Sequence, residues 1–448
     1  MRFTSLTEWL AWLETFHPQA IELGLARIAT VAQRMALGDT VGSRRVAKKI
    51  ITVAGTNGKG SCVATLESLL KALGLSVGAY SSPHLLRYNE RVRVNGNEVT
   101  DAQLCDAFAI VDAARGDTSL TYFEFGTLAA FELFARANLD VAILEVGLGG
   151  RLDAVNLLAP DIAVITSIDI DHTDWLGDTR EAIGREKAGI LRDGIVCVCG
   201  DDDPPSSLQQ MMRDLQTRNF MSGVDFRFGV DDNGFFFHGR DLKGHGVKAV
   251  ALPVPALPLP SVAMALQAAL LLTNAVKWPD AVDSHWIQDE ALLSSVLSGL
   301  HLAGRCQTFD SDGVEIVVDV AHNPAGARYL YRHLQARPAA GKTLAVFTML
   351  ADKDLDASIT AIKSLITAWF VAEMPGVARA RPARDVADAL FRQGIHMISV
   401  SKNLRQAFAR ARILAQPGDR IVIFGSFHVA AELLPRVMKQ QVDDDGEA

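Results

Sequence analysis

Residues 50–70 read IITVAGTNGKGSCVATLESLL. Ile50 to Val53 is a short β-branched run fit for a buried strand. Gly55-Thr56-Asn57-Gly58-Lys59-Gly60-Ser61 follows, and then an apolar-periodic helix through Leu66, Leu69 and Leu70. Strand, glycine-rich turn, lysine, hydroxyl and helix is the order of a phosphate cradle. The glycines let backbone N–H groups approach phosphate oxygens, the helix N-terminus adds partial positive charge, and Lys59 reaches the outer phosphates. The spacing departs from the usual G-x-x-x-x-G-K-[ST], because Gly60 intervenes between Lys59 and Ser61.

A chain of 448 residues is too long for one ordinary core, so two domains are expected. With 49% hydrophobic and 21% charged residues the composition is that of a globular protein. A net charge of −8 argues against nucleic acid as a partner and requires local positive charge wherever an anionic substrate binds. Five scattered cysteines do not make a disulfide framework, and Cys197-Val198-Cys199 reads as strand rather than metal site. The N-terminal FTSLTEWLAWLETF carries Glu8 and Glu14 among apolar residues and reads as an amphipathic helix, not a signal peptide. The apolar stretch Val262–Val276 is interrupted by Gln267, Thr273 and Asn274, which fits a core helix better than a membrane span. A cytoplasmic, monomeric enzyme without membrane or nucleic-acid partners is the expectation.

Further strand-end clusters follow in order. Leu75 to Tyr80 reads as a strand ending in Ser81-Ser82-Pro83-His84, at the edge where doubly wound sheets bind ligands. The polar run Arg87, Asn89, Glu90, Arg91 and Arg93 reads as a solvated strand, and residues 101–115 as a helix. In Thr121-Tyr122-Phe123-Glu124 an acid stands at a helix N-terminus beside aromatics. Asp140 to Val146 is an apolar strand, and its Glu145 is a hard oxygen ligand suited to Mg²⁺. A strand over 161–167 leads to His172, a second candidate metal ligand. A helix over 179–191 carries Lys187, which periodicity alone leaves as a solvated charge. Residues 226–242 read as a peripheral hairpin. A second α/β unit starts near 306, with strands 314–320, 344–348 and 421–424. Gly341-Lys342-Thr343 is no phosphate loop, since it precedes a strand and Ala336 holds the place of the first glycine. The acidic end, DDDGEA, is expected to be disordered. These residues alone reach a two-domain, Mg²⁺-dependent, ATP-using α/β enzyme.

Gly55–Ser61 also resembles the nucleotide loop of the Mur ligase superfamily, and more narrowly of its folate ligases, the folylpolyglutamate and dihydrofolate synthases. The pattern SSPHL…NERV…VNG, the segment TYFE at 121–124, EVGLGGRLDA at 145–154, DHTDWLG at 171–177, REKAGI at 185–190, LAGRC at 302–306, DVAHNP at 319–324, TMLADKD at 348–354 and GSFH at 425–428 are similar to the same family. Val155 and Ser261 depart from it, the latter standing where relatives place an ATP-contacting Asn.

The resemblance implies a P-loop-type parallel-sheet ATPase domain over 1–298, binding ATP and pterin, and a smaller Rossmann-like α/β domain over 299–448, binding glutamate. It implies two Mg²⁺ ions held by Ser82, Glu145, His172 and a Lys187 carbamylated by CO₂. It places ATP on Gly55, Thr56, Asn57, Gly58, Lys59, Gly60, Ser61, Arg305 and Asp319. Substrate contacts fall to Arg27, Thr121, Tyr122, Phe123, Glu124, Leu152, Asp153 and Ala154 on the pterin side, and to His322 and Ser426 near the incoming amino acid. Lys59, Lys187 and His172 are the residues implied to carry the chemistry. The implied reaction joins L-glutamate to dihydropteroate and to tetrahydrofolate polyglutamates through an acyl phosphate. Two other readings stand beside it. One is a sibling ligase, either folylpolyglutamate synthase alone or a cell-wall enzyme, although TYFE and EVGLGGRLDA favour folate. The other is a P-loop regulatory switch, against which the chain shows no [NT]-K-x-D guanine-reading motif.

Overall fold

In the computed structural model, which describes residues 2–38, 43–275, 278, 282 and 285–446, the run Ile50–Val53 lies inside a buried strand, Ala47–Ala54. Leu139–Glu145 and Ile162–Ile165 flank it, both parallel. The whole sheet has eight strands in the order Asn97–Glu98, Val92–Val94, Val77–Tyr80, Leu139–Glu145, Ala47–Ala54, Ile162–Ile165, Val196–Cys199 and Arg218–Met221. From Val77–Tyr80 onward every pairing is parallel, while the first two strands join antiparallel. Parallel strands need helices on both faces, which explains their nearly continuous apolar runs.

Alternation sorts these runs. Ile50, Ala142, Leu144, Ala163, Ile165, Cys197 and Cys199 join one core with Trp9, Phe108, Phe125 and Phe131. Helices Lys59–Ala72 and Leu259–Ala275 pack on each other and against the sheet. All five cysteines are free and buried, so the paired thiols at 197 and 199 are packing groups. Helices start where the sequence supplies capping boxes: Ser5 with Glu8 for Leu6–Phe16, Thr100 with Gln103 for Asp101–Arg115, and Thr121 with Glu124 for Tyr122–Ala137.

The chain divides into two compact units, Met1–Leu300 and His301–Ala448. The second is a six-stranded sheet in the order Gln307–Ser311, Val314–Val318, Arg420–Phe424, Thr343–Phe347, Ala368–Ala372 and Ile398–Ser401. All its pairings are parallel except the first, a hairpin. Lys342 precedes the strand Thr343–Phe347, in keeping with its dismissal as a phosphate loop.

Four expectations need correction. The polar run at 87–93 is a strand only at its end, where Arg93 lies in Val92–Val94; Tyr88–Arg91 is a 3₁₀ turn, with Tyr88, Asn89 and Arg91 buried. Lys187 lies in the helix Arg180–Ala188 and is buried, not solvated. The hairpin is a three-stranded antiparallel sheet, Arg227–Asp231, Gly234–Arg240 and Gly246–Leu252, because the next segment adds a strand. The last helix, Phe427–Gly446, carries the backbone of the acidic end through Gly446, leaving Glu447 and Ala448 outside the described residues, as is Val276. Among the described residues no helix is long and apolar enough to cross a membrane.

Candidate active site

Because the strands are parallel, the loops after Ala47–Ala54, Val77–Tyr80, Leu139–Glu145 and Ile162–Ile165 all emerge at one edge of the first sheet. Gly58 sits in a left-handed conformation (φ +86°) that a side chain would strain. The loop is held from outside. Thr166 Oγ1 donates to the Asn57 carbonyl (2.7 Å), and Asn57 N–H donates to Ser167 Oγ (3.1 Å). Thr56 Oγ1 donates to the Asp169 carbonyl (3.1 Å). Ser261 Oγ donates to the Gly58 carbonyl (3.1 Å), so this departure from the family pattern braces the loop. Lys59 Nζ donates to the carbonyls of Gly55 (3.0 Å) and Thr56 (3.3 Å). The Ser61 hydroxyl, in the first turn of Lys59–Ala72, is buried with no hydrogen-bond partner. A buried hydroxyl left unpaired costs roughly 1–3 kcal/mol, which a phosphate oxygen or a hard cation at that point would relieve. These groups fit a nucleotide phosphate with its divalent ion.

The Ser82 backbone N–H donates to Glu145 Oε2 (3.3 Å), which brings those two together. Lys187 is 4% exposed, and burial first, then the charge of Lys59, lowers its ammonium pKa to about 7, with Asp171 and Asp153 acting in the opposite sense. Its helix docks on the Gly147–Gly150 loop, with Arg151 N–H donating to the Glu186 carbonyl (2.9 Å). A Cβ on Gly150 would lie 2.8 Å from that carbonyl and 3.1 Å from Lys187 Cα. His172 is exposed, left-handed (φ 52°), and occupies the N-cap position of the short helix Thr173–Leu176. Among the described residues no three His, Cys, Asp or Glu side chains converge as a metal cage.

The aromatic segment is tied into a polar chain. Thr121 and Glu124 bond each other's backbone N–H groups (2.8 and 3.2 Å), and Arg27 Nη2 reaches Glu124 Oε1 (3.2 Å) and also pairs with Glu22. His17 lies between Glu22 Oε2 (2.8 Å) and Ser119 Oγ (2.7 Å). Gly24 N–H donates to the Leu152 carbonyl (3.3 Å). Phe123 packs under Gly147, where a Cβ would come within 2.7 Å of its ring. Asp153, expected to face a ligand, is buried and accepts N–H groups from Leu148 (2.9 Å) and Val155 (3.0 Å). Burial outweighs those bonds and raises its carboxyl to about 6. Its geometry is that of a brace for the 147–155 loop, with Ala154 buried beside it.

In the second unit, three loops follow the adjacent strands Val314–Val318, Arg420–Phe424 and Thr343–Phe347. Asp319 accepts N–H groups from Cys306 (2.8 Å) and Ala321 (2.7 Å), again a brace. His322 Nδ1 bonds the Val320 carbonyl (2.8 Å), and Asn323 caps the helix Pro324–Gln335. Ser426 is buried and accepts from Val429 N–H (3.2 Å). The Arg305 guanidinium lies 5.1 Å from the Phe427 ring centroid.

A Mur ligase middle domain matches residues 53–227, and the Mur ligase glutamate ligase domain matches residues 304–427. The dihydrofolate synthase/folylpolyglutamate synthase of Escherichia coli (strain K12) is 41% identical over 96% of this chain and 94% of its own length. The chain belongs to the dihydrofolate synthase/folylpolyglutamate synthase family of Mur ligases. The Haemophilus influenzae member is 39% identical over 95% of the chain. E. coli FolC in complex with DHPP and ADP superposes with a TM-score of 0.87 at 39% identity, covering 98% of both chains. A bifunctional member of the family with Mn, AMPPNP and L-glutamate bound gives 0.84 at 40% identity, covering 97% of this chain and 98% of that one.

For this family member the sequence reading missed the residues that hold the site without looking chemical. Thr166 and Ser167 carry no motif, and their contacts, like that of Ser261, span more than a hundred positions. Arg91 and Tyr88 were hidden in a polar run, where the one available signal was an aromatic flanked by charge.

Proposed function

We propose that the chain is an ATP-dependent ligase that joins L-glutamate to dihydropteroate and to tetrahydrofolate or its polyglutamates. The observation that carries this reading is the braced 55–61 loop with its buried, unpartnered Ser61 hydroxyl, in a chain that matches bifunctional relatives over nearly its full length. The loop amides, Lys59 and Ser61 hold the outer phosphates of ATP. Ser82, Glu145, His172 and Lys187 would hold two Mg²⁺ ions, which would neutralise phosphate charge. The γ-phosphoryl group passes to the folate carboxylate and ADP leaves. The glutamate amine then attacks the acyl carbon, the bond to phosphate breaks, and amide, phosphate and a proton are released. Positioning of amine and acyl phosphate supplies much of the rate.

Lys187 suits carbamylation. A pKa of about 7 leaves much of its amine neutral at neutral pH, and only the neutral amine attacks CO₂. The pterin lies against Tyr122 and Phe123, with Arg27, Thr121, Glu124, Leu152, Asp153 and Ala154 shaping the wall. His322 and Ser426 face the incoming amino acid. The enzyme works as a cytoplasmic monomer.

The test is ADP formation with L-glutamate and Mg²⁺, with dihydropteroate in one reaction and tetrahydrofolate in the other. Both acceptors are expected to stimulate turnover. Tetrahydrofolate alone would make the chain a folylpolyglutamate synthase, and stimulation by neither would overturn the folate reading.

A further inference from the structure

Arg91 is 9% exposed, and no carboxylate is paired with it among the described residues. Its contacts are an imidazole and two phenol rings. Nε donates to His84 Nδ1 (2.8 Å), and the guanidinium carbon lies 5.4 Å from the Tyr88 ring centroid and 5.6 Å from that of Tyr122. The nearest acid in sequence, Glu90, is engaged elsewhere: its carboxylate accepts the backbone N–H groups of Leu85, Leu86 and Arg87 at 2.6 Å each. Other buried arginines are answered. Arg115 pairs with Asp112 and Arg420 with Glu315, and the half-buried Arg93, two residues on, pairs with Glu67. A buried guanidinium without an anion carries a desolvation penalty that aromatic faces only partly offset. The fork of two terminal nitrogens matches a carboxylate.

We infer that Arg91, with His84 and the Tyr122 ring, forms an anion-binding subsite that receives a carboxylate of the folate substrate. The inference rests on the proposed function, because Tyr122 belongs to the segment assigned to the pterin. Two carboxylates have this chemistry: the reacting group of dihydropteroate, and the α-carboxylate of the glutamyl tail of tetrahydrofolate. His84 accepts from Arg91 and so aims the guanidinium without competing for an anion.

The experiment measures equilibrium binding to the full chain without Mg²⁺ or nucleotide, so that no metal contributes to carboxylate recognition. The probes are dihydropteroate, its carboxamide, and tetrahydrofolate. Wild type is expected to prefer dihydropteroate over the carboxamide by roughly tenfold or more, as a charged hydrogen bond implies. R91Q is expected to lose that preference, with R91K keeping part of it, and ATP binding in R91Q is expected to stay within about twofold of wild type. Loss confined to the tetrahydrofolate arm assigns the subsite to the glutamyl carboxylate. A preference for dihydropteroate that R91Q keeps overturns the inference, as does equal affinity of wild type for dihydropteroate and the carboxamide with R91Q binding tetrahydrofolate as wild type does; R91K serves where R91Q folds poorly. If neither acceptor binds at all, the folate reading itself fails.

Discussion

Loop 55–61 of the first unit and loop 319–324 of the second each follow the carboxyl end of a buried parallel strand, and they differ in what their polar atoms do. In the first, Ser61 Oγ has no partner, and Thr166, Ser167 and Ser261 hold the backbone from other parts of the chain. In the second, both Asp319 oxygens bond backbone amides, and Asn323 caps the helix that follows. One loop is held by its neighbours, with the Ser61 hydroxyl left over. The other is braced by its own side chains. Residue type at a strand end therefore does not reveal role; the hydrogen-bond accounting does.

The largest expected break in this comparison is K59A. Removing the cation from the first loop should lower kcat/KM for ATP by about 10³-fold, read as ADP formation. A loss below tenfold would mean that this loop does not hold the outer phosphates.

Lys187 tests how burial tunes the first unit. Its folded pKa of about 7 lies below the ordinary 10.5, so between those values the unfolded chain holds a proton that the folded chain lacks. Stability of the metal-free, CO₂-free protein should therefore rise from pH 7 to pH 10 and carry the full penalty below pH 7. K187M should be more stable than wild type by a few kcal/mol at pH 7, and the gap should close toward pH 10. Urea midpoints across that range decide it; a constant gap would contradict the burial argument.

S61A separates ligand binding from folding. Deleting an unpaired hydroxyl should leave the urea midpoint unchanged or raised, while Mg²⁺-ATP turnover falls about 10²-fold. D319N in the second unit should do the reverse in emphasis, lowering stability by about 1–3 kcal/mol because one buried amide loses its acceptor. Equal stability losses in the two variants would erase the distinction between the two loops.

Much of the architecture was legible because parallel strands announce themselves as apolar runs ending in glycine, acid or hydroxyl, as at 50–61 and 139–147. The capping boxes at Ser5, Thr100 and Thr121 fixed three helix starts locally. What stayed hidden depends on distant parts of the chain. Lys187 reads as any helix lysine until the 147–150 loop covers it. Arg91 reads as solvated until Tyr88 and Tyr122 enclose it. The distant or neighbouring amides that Asp153 and Asp319 accept are likewise not visible in the residue types.

The most direct test of the central claim follows an oxygen atom. Dihydropteroate labelled with ¹⁸O in its carboxylate is turned over with ATP, Mg²⁺ and L-glutamate, and the released phosphate is analysed by mass spectrometry. Activation of the carboxylate as an acyl phosphate predicts one labelled oxygen in the phosphate for each amide formed. Amide formation with unlabelled phosphate would contradict it.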